Sequence, residues 1–542
     1  MLAAVFFYSI LFLALFLVPS LVIFVFLLFI EHERRWWRVL GPVITPVAKA
    51  WWERPAIRNL RDRYPRTLTF VARRLNPRDP WGLPATLATI AVIAGLWWLS
   101  GIVQDIVGKD PLVTLDVRLH NSMPLFRSPG VTRLMIAITE FGSPAVSWAI
   151  AFALALFALA RGRRRLAVTY VLAVAASGIF SVVLKGAFGY ARPTGTLIAA
   201  HEASFPSGHL LADGVLYGLL ASLVLQRDRR PLKSAFATML LLLAIASVGV
   251  SRLYLGVHWP SDLLASLAVA LICLALVLFF LHYERPIPRI DSFTVPLSPT
   301  AVRRIGVVVM VIGGLTGALL MQRVKFVAPT RPVPRRLLAE TALLGGLPPD
   351  IPRRAEGLIG EKMEPISLVL IGSNEEVIAT FARAGWEKAD LPTPIRVIRE
   401  GLAAIENRPD PSGPATPAYL ADRPQSLTFE KPDPLSPGIR HRHHTRVWPT
   451  AYCTMTDCRP ILVATASYDV GIELSAQLHL PTHRIDPHID HERALITADL
   501  SHAGAAVRGI VAVVPPLSGM NAAGDPFVTD GRAVILTMPR FR

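Results

Sequence analysis

The stretch MLLLLAIASVGVSRLYLGVHWPSDLLASLAVALICLALVLFF, residues 239–280, decides how this chain is read. It holds parts of two apolar runs, 234–251 and 260–282, each long enough to cross a bilayer. Between them sits a short polar hinge carrying Arg252, His258 and Asp262. Working outward, similar apolar runs lie at about 3–30, 83–104, 142–160, 166–184, 208–226 and 304–322. The chain therefore reads as eight spans. Its composition agrees: 52% of the 542 residues are hydrophobic and 18% charged, too apolar for a soluble protein of this length. Residues 113–139 mix polar and apolar side chains evenly and read as an amphipathic stretch at the membrane surface.

The formal net charge of +17 would suit a nucleic-acid partner, but its placement argues against one. Arginine and lysine crowd into 31–82, 161–165 (RGRRR), 227–233 (RDRRPLK) and 285–304, between apolar runs, the pattern that orients membrane proteins. With these four loops inside, both termini and the loops 185–207 and 252–259 face outward. The N-terminus has no charge before Glu31 and lacks the basic start of a secretory signal, so it reads as an uncleaved span.

Three groups of residues fall at the outward ends of the spans. The first is Lys185-Gly-Ala-Phe-Gly-Tyr-Ala-Arg192-Pro193. The second is Pro206-Ser207-Gly208-His209. The third is Ser251-Arg252, then His258 and Asp262. Lys185, Arg192 and Arg252 would make a positive pocket, and guanidinium suits bidentate contact with phosphate oxygens. Ser207 and Gly208 open a helix whose free N–H groups favour an anion. Asp262, four residues after His258, would fix the imidazole tautomer and leave the other nitrogen free to attack. Phosphoryl transfer needs positioning and charge neutralisation above all, and this set offers both without metal ligands or another cofactor. Tyr254 and Trp259 read as interfacial anchors.

The motifs K-x6-R-P, P-S-G-H and S-R-x5-H-x3-D resemble those of the type-2 phosphatidic acid phosphatase family, which shares its site with vanadium haloperoxidases. The resemblance spans roughly 85–282. It implies an integral membrane phosphatase acting on a lipid phosphate or pyrophosphate such as phosphatidate or undecaprenyl pyrophosphate. It also implies roles: His258 as nucleophile forming a phosphohistidine, Asp262 orienting it, and His209 protonating the leaving group. Lys185, Arg192, Ser207, Gly208 and Arg252 would hold the phosphate. Two other readings stand beside it: a vanadate-dependent haloperoxidase on the same pocket, and an envelope scaffold acting through its C-terminal domain.

The expected fold is mainly α: a polytopic transmembrane bundle followed by a small α+β domain outside the membrane. Its parts are 1–82, a first span with a basic cytoplasmic segment; 83–282, the six-span phosphatase core; 283–365, a further span and a Pro/Arg-rich linker; and 366–542, the α+β domain. In the last, ISLVLI at 366–371 predicts a strand, Ser373 with Glu376 a capping box for a helix ending near Gly385, and 426–431, 443–452, 460–475, 504–515 and 532–538 further strands. Cys453 and Cys458 would close a hairpin disulfide in an exported domain, while Cys273 reads as a small buried hydrophobe.

Eight of the fourteen histidines fall between 441 and 502, without a tight metal-ligand spacing. The residues His443–Trp448, Tyr468–Glu473 and His483–Arg493 resemble the LssY C-terminal domain. The partners implied are a lipid phosphate substrate, membrane lipids and a protein partner of the C-terminal domain. The location implied is a bacterial inner membrane with site and C-terminal domain on the periplasmic side.

Overall fold

The structure is a computed structural model. It describes residues 62–542 apart from 77–78, 80, 228–230, 284–297, 323, 328–334, most residues within 391–416, and 437, 439, 475–480, 522 and 542; before 62 only isolated positions are described. The first expected span, 3–30, lies outside the described residues. The chain divides into two compact units.

The helical unit contains α1 (Leu83–Gly108), α3 (Pro129–Phe141), α4 (Pro144–Ala160), α5 (Arg164–Phe188), α6 (Gly208–Arg227), α7 (Pro231–Tyr254), α8 (Pro260–Tyr283) and α9 (Pro299–Gln322). The helix between the first two, α2 (Pro111–Ser122), groups with the sheet unit. Five of these helices are long and apolar enough to cross a membrane, or six if α3 and α4, bent by 43° at their junction, form one span. This is a membrane protein with five or six candidate spans among the described residues. The packed centre comprises Leu211, Val215 and Leu219 of α6 against Val269, Leu271 and Leu274 of α8, with Ala173 and Val174 of α5. Small residues let these helices approach closely. A Cβ on Gly218 would lie 2.5 Å from Leu274, and one on Gly95 2.6 Å from Ile272. Outward faces carry exposed Ile90, Trp97, Ile179, Val182 and Leu319, as lipid contact requires.

The segment 113–139 is not a single surface stretch. Ser128 caps α3, accepting from Val131, and Pro129 starts it. Ser143 and Pro144 do the same for α4, so the chain bends at Gly142 instead of lying flat. There α3 contacts α7 and α9 within the bundle. Its polar residues mislead because they serve caps and internal bonds, which periodicity cannot distinguish from a wet face.

The sheet unit is built on β1 (Leu368–Ile371), β2 (Glu387–Lys388), β3 (Leu427–Pro432), β4 (Arg442–Thr454), β5 (Pro460–Leu474), β6 (Pro481–Ile485), β7 (Ala506–Ala512) and β8 (Arg532–Thr537). They form one sheet in the order β7-β8-β1-β5-β4-β3-β2, with β6 added on β5. The β8–β1 pairing is parallel and the other pairings along that order are antiparallel. The helices α10 (Asn374–Arg383) and α11 (Ile489–His502) accompany it. The capping box of α10 forms as its sequence predicts, Ser373 accepting from Glu376 N and Glu376 from Ser373 N.

This unit reaches back beyond 366: strand Arg336–Leu338 pairs with β4, and Arg354–Glu356 with Lys362–Pro365. The Pro and Arg content of that stretch hides strands too short to show alternation. Cys453 and Cys458 are joined by a disulfide, their Cα atoms 4.7 Å apart. Cys273 is buried within the helical core.

Gly531 opens β8 with φ +75°, and a Cβ there would lie 2.0 Å from the Val514 carbonyl oxygen. Gly531→Ala therefore forces backbone apart as well as a left-handed φ on alanine, and is expected to destabilise the sheet unit by about 3 kcal/mol. Limited proteolysis of the full-length protein against temperature reads this as earlier cleavage within 335–542.

Candidate active site

The helices α5, α6, α7 and α8 alternate in direction. The end of α5, the start of α6, the end of α7 and the start of α8 therefore meet at one end of the unit, and each motif sits at one of those termini. Lys185 lies in the last turn of α5 and Arg252 in the last turn of α7. Gly208 begins α6 and Asp262 is in the first turn of α8. The sequence ends these helices locally. Gly189 takes φ +55° as the cap of α5, and Pro260 starts α8.

Asp262 fixes His258. Its Oδ2 lies 3.1 Å from His258 Nδ1 and also accepts from the Trp259 N–H at 2.9 Å. Its Oδ1 accepts from Ser204 Oγ at 3.3 Å. On the opposite side of the ring, Arg192 Nη1 stands 3.3 Å from His258 Nε2. A guanidinium has only donors, so Nε2 must present its lone pair and Nδ1 must carry the hydrogen facing Asp262. Burial first, then the charges of Arg252 and Arg192, pushes the His258 imidazole well below its ordinary value. The ring is therefore neutral, with its free lone pair aimed at a guanidinium.

The cations are held in turn. Arg192 donates from Nε to the Glu202 carbonyl at 2.6 Å and from Nη1 to the Val257 carbonyl at 2.6 Å. Lys185 Nζ donates to Glu202 Oε2 at 2.9 Å, which draws that carboxyl below its usual range. Arg252 is buried and donates from Nη1 to Thr139 Oγ1 at 3.0 Å. Two buried donors near this cluster have no hydrogen-bond partner: Ser207 Oγ and Arg252 Nε. His209 stands near enough to His258 for its charge to act on it.

All eight motif residues thus gather at one end of the helical unit. Four residues that the motif reading did not single out support them: Thr139, Ser204, Glu202 and Trp259. Only Glu202 carries a sequence signal, as an acid within a loop of cations. Tyr254 is not a surface anchor, whereas Trp259 is half-exposed. Tyr254 is buried, its hydroxyl 2.9 Å from Thr132 Oγ1, and Trp259 Nε1 donates to the Ala191 carbonyl at 2.8 Å, tying the Arg192 loop to the His258 loop.

Comparison with known proteins identifies the class. Residues 166–286 match the PAP2 superfamily and residues 349–533 match the family described as LssY C-terminus. The chain carries both matches, and they support a phosphatase hydrolase. The chain is 26% identical over 184 residues to phosphatidylglycerophosphatase B of Bacillus subtilis (strain 168), covering 33% of this chain and 87% of that protein. The crystal structure of a transmembrane PAP2 type phosphatidylglycerolphosphate phosphatase from Bacillus subtilis aligns at 23% identity and a TM-score of 0.31, covering 37% of this chain and 98% of that one.

Proposed function

We propose that this protein releases phosphate from a lipid phosphomonoester or pyrophosphate through a phosphohistidine on His258. The observation that carries the reading is the set of buried donors without partners, Ser207 Oγ and Arg252 Nε, beside an imidazole whose Nε2 presents its lone pair to Arg192. An unmade buried hydrogen bond costs about 1–3 kcal/mol, and a phosphate oxygen accepts from both donors. Nε2 attacks phosphorus as the bond to the leaving oxygen breaks, and His209 gives that oxygen its proton. Water activated by His209 then cleaves the P–N bond and releases phosphate. Lys185, Arg192, Ser207, Gly208 and Arg252 neutralise the charge on the equatorial oxygens.

The relative's name makes phosphatidylglycerophosphate the first substrate to try, beside phosphatidate and undecaprenyl pyrophosphate. Phosphate release by purified protein in detergent containing EDTA tests the reading. Failure on all three lipids overturns it.

The site is assigned to the periplasmic face of a bacterial inner membrane. The run 161–165 and Lys233 lie at the opposite ends of the helices from the motifs, where the positive-inside rule expects cytoplasm. Beyond α9 the chain stays at the site end, since Ala199 N donates to the Lys325 carbonyl and Val327 N to the Leu197 carbonyl, both close to 3 Å. An oxidising location for the C-terminal domain agrees with its Cys453–Cys458 disulfide. A phosphatase reporter fused after residue 330 is expected to be active; cytoplasmic labelling there would reverse the orientation.

The ion pair of Lys185 with Glu202 holds the lysine while the site is empty. Glu202 is largely exposed, so the pair contributes under about 1 kcal/mol to stability. Glu202→Gln is expected to leave thermal stability unchanged and to tighten inhibition by inorganic phosphate about threefold, because Lys185 no longer has a competing carboxylate. Unchanged inhibition would remove Lys185 from the phosphate shell.

A further inference from the structure

A second cluster of buried ionisable groups lies in the sheet unit, on residues outside the catalytic motifs. Arg442, His444 and Arg446 alternate along β4 and so share one face. Asp469 of β5 stands opposite Arg442 in register, and β6 brings His483 alongside. With Glu364 these residues line a pocket that opens to solvent. Glu364, Arg442, His444, Arg446 and Asp469 are each more than nine-tenths buried.

Part of this cluster is internally satisfied. Arg442 Nη1 donates to Glu430 Oε2 at 2.5 Å and its Nε to Asp469 Oδ2 at 3.0 Å. Much of it is not. Glu364 Oε2, Glu430 Oε1, Asp469 Oδ1, both ring nitrogens of His444 and Nδ1 of His483 are buried without a hydrogen-bond partner. His444 Nδ1 lies 3.1 Å from Asp469 Oδ1 and His483 Nδ1 3.4 Å from Oδ2, close enough for attraction yet not aligned as hydrogen bonds. Native interiors leave few such atoms unmade. Glu364 Oε2, Glu430 Oε1 and His444 Nε2, which have neither a hydrogen bond nor an ion pair, lie beside this pocket and point to a ligand.

The chemistry of the unmet atoms selects the ligand. Burial pushes the Glu430 carboxyl up to about 8, so it holds a proton at neutral pH. The two guanidiniums of Arg442 and Arg446 are then matched by the carboxylates of Asp469 and Glu364. An anion would meet those carboxylates, and an organic cation the guanidiniums. Among the described residues no three His, Cys, Asp or Glu side chains are spaced to hold a metal ion. The unmet atoms are carboxylate oxygens of Glu364 and Asp469, which need donors, the protonated Glu430 Oε1, which needs an acceptor, and imidazole nitrogens, which both donate and accept. A hydroxyl group answers both requirements.

We infer that this pocket binds a small, neutral, polyhydroxylated molecule, either a free polyol or sugar or the sugar headgroup of a lipid. Hydroxyls donate to Glu364 Oε2 and Asp469 Oδ1 and exchange hydrogen bonds with His444 and His483. The inference stands apart from the phosphatase reading, because it uses none of the residues of that site.

The test uses full-length protein in lauryldimethylamine oxide, a detergent without a sugar headgroup. Saturation-transfer NMR and thermal unfolding are followed with glycerol, glucose and N-acetylglucosamine, and by flotation with vesicles with and without monoglucosyl diacylglycerol. Saturable binding to at least one probe is expected, with Kd on the order of 1 mM for a free sugar. Binding of free probes identifies a soluble ligand; binding only to glycolipid vesicles identifies a headgroup. His444→Gln and Glu364→Gln are each expected to weaken binding at least about tenfold while phosphate release stays unchanged. If one variant does not fold, the other carries the test. The inference is overturned if folded protein binds none of these probes, or if binding survives both substitutions. Stabilisation by zinc in place of the sugars also overturns it.

Discussion

Replacing His258 by alanine is expected to lower phosphate release by about 10⁴-fold or more, with no phosphoprotein intermediate left to trap. The size follows from the mechanism: without Nε2 there is no first bond to phosphorus, and water must attack a substrate that is merely bound. Removing a nucleophile from a preorganised site leaves only the residual catalysis of charge stabilisation and positioning. The wild-type protein, quenched in alkali during turnover of ³²P-labelled lipid phosphate, should carry label that acid removes. His258→Ala should carry none, and its fold should survive, since the imidazole makes one bond to Asp262 and one to Arg192. Retained turnover in a folded His258→Ala protein would sink the covalent mechanism. Loss of label in His209→Ala with His258 intact would place the general acid before, not after, the covalent step.

The second large effect is expected at Asp262→Asn, a change of one atom at a residue that would never touch the substrate. Asp262 gathers three donors at once, from Trp259 N, Ser204 Oγ and the Nδ1–H of His258. An amide in its place offers a donor of its own and one fewer acceptor. One route to satisfying the buried group is for the imidazole to move its hydrogen to Nε2. That tautomer has no lone pair toward phosphorus, so kcat is expected to fall about 10³- to 10⁴-fold with KM nearly unchanged. The split separates orientation from binding. A structural collapse would raise KM and lower thermal stability together, and that outcome would reduce Asp262 to a packing residue.

The motifs themselves were legible because their chemistry is compressed into short spacings at span ends. Lys185 and Arg192 flank one helix end, Ser207 and His209 open the next helix, and Arg252, His258 and Asp262 bridge a third pair. The strands of the C-terminal unit were legible for a similar reason: alternating β-branched and aromatic residues at 443–452 and 460–475 state their own period, and Ser373 with Glu376 states a helix start. The partners that hold the site were not. Thr139, which receives Arg252, lies 113 residues away in a segment whose polar content looks like a wet surface. Ser204 is unremarkable as a letter and Trp259 reads only as an interfacial anchor; their contacts with Asp262 and the Ala191 carbonyl give them a place at the site.

The sequence by itself determined what depends on composition and local order: that the chain carries apolar spans, and which side chains make up the candidate site. These follow from hydropathy and spacing within a few turns. Only the tertiary structure decided what depends on distant segments meeting. It bent 129–160 into two helices, grouped 111–122 with the C-terminal sheet, and matched Arg192 to the lone pair of His258. It also brought residues from 364, 442–446, 469 and 483 around one pocket. Buried polar groups find partners across a sheet or between helices, and no local pattern records which partner, or which absence of one, the fold will supply.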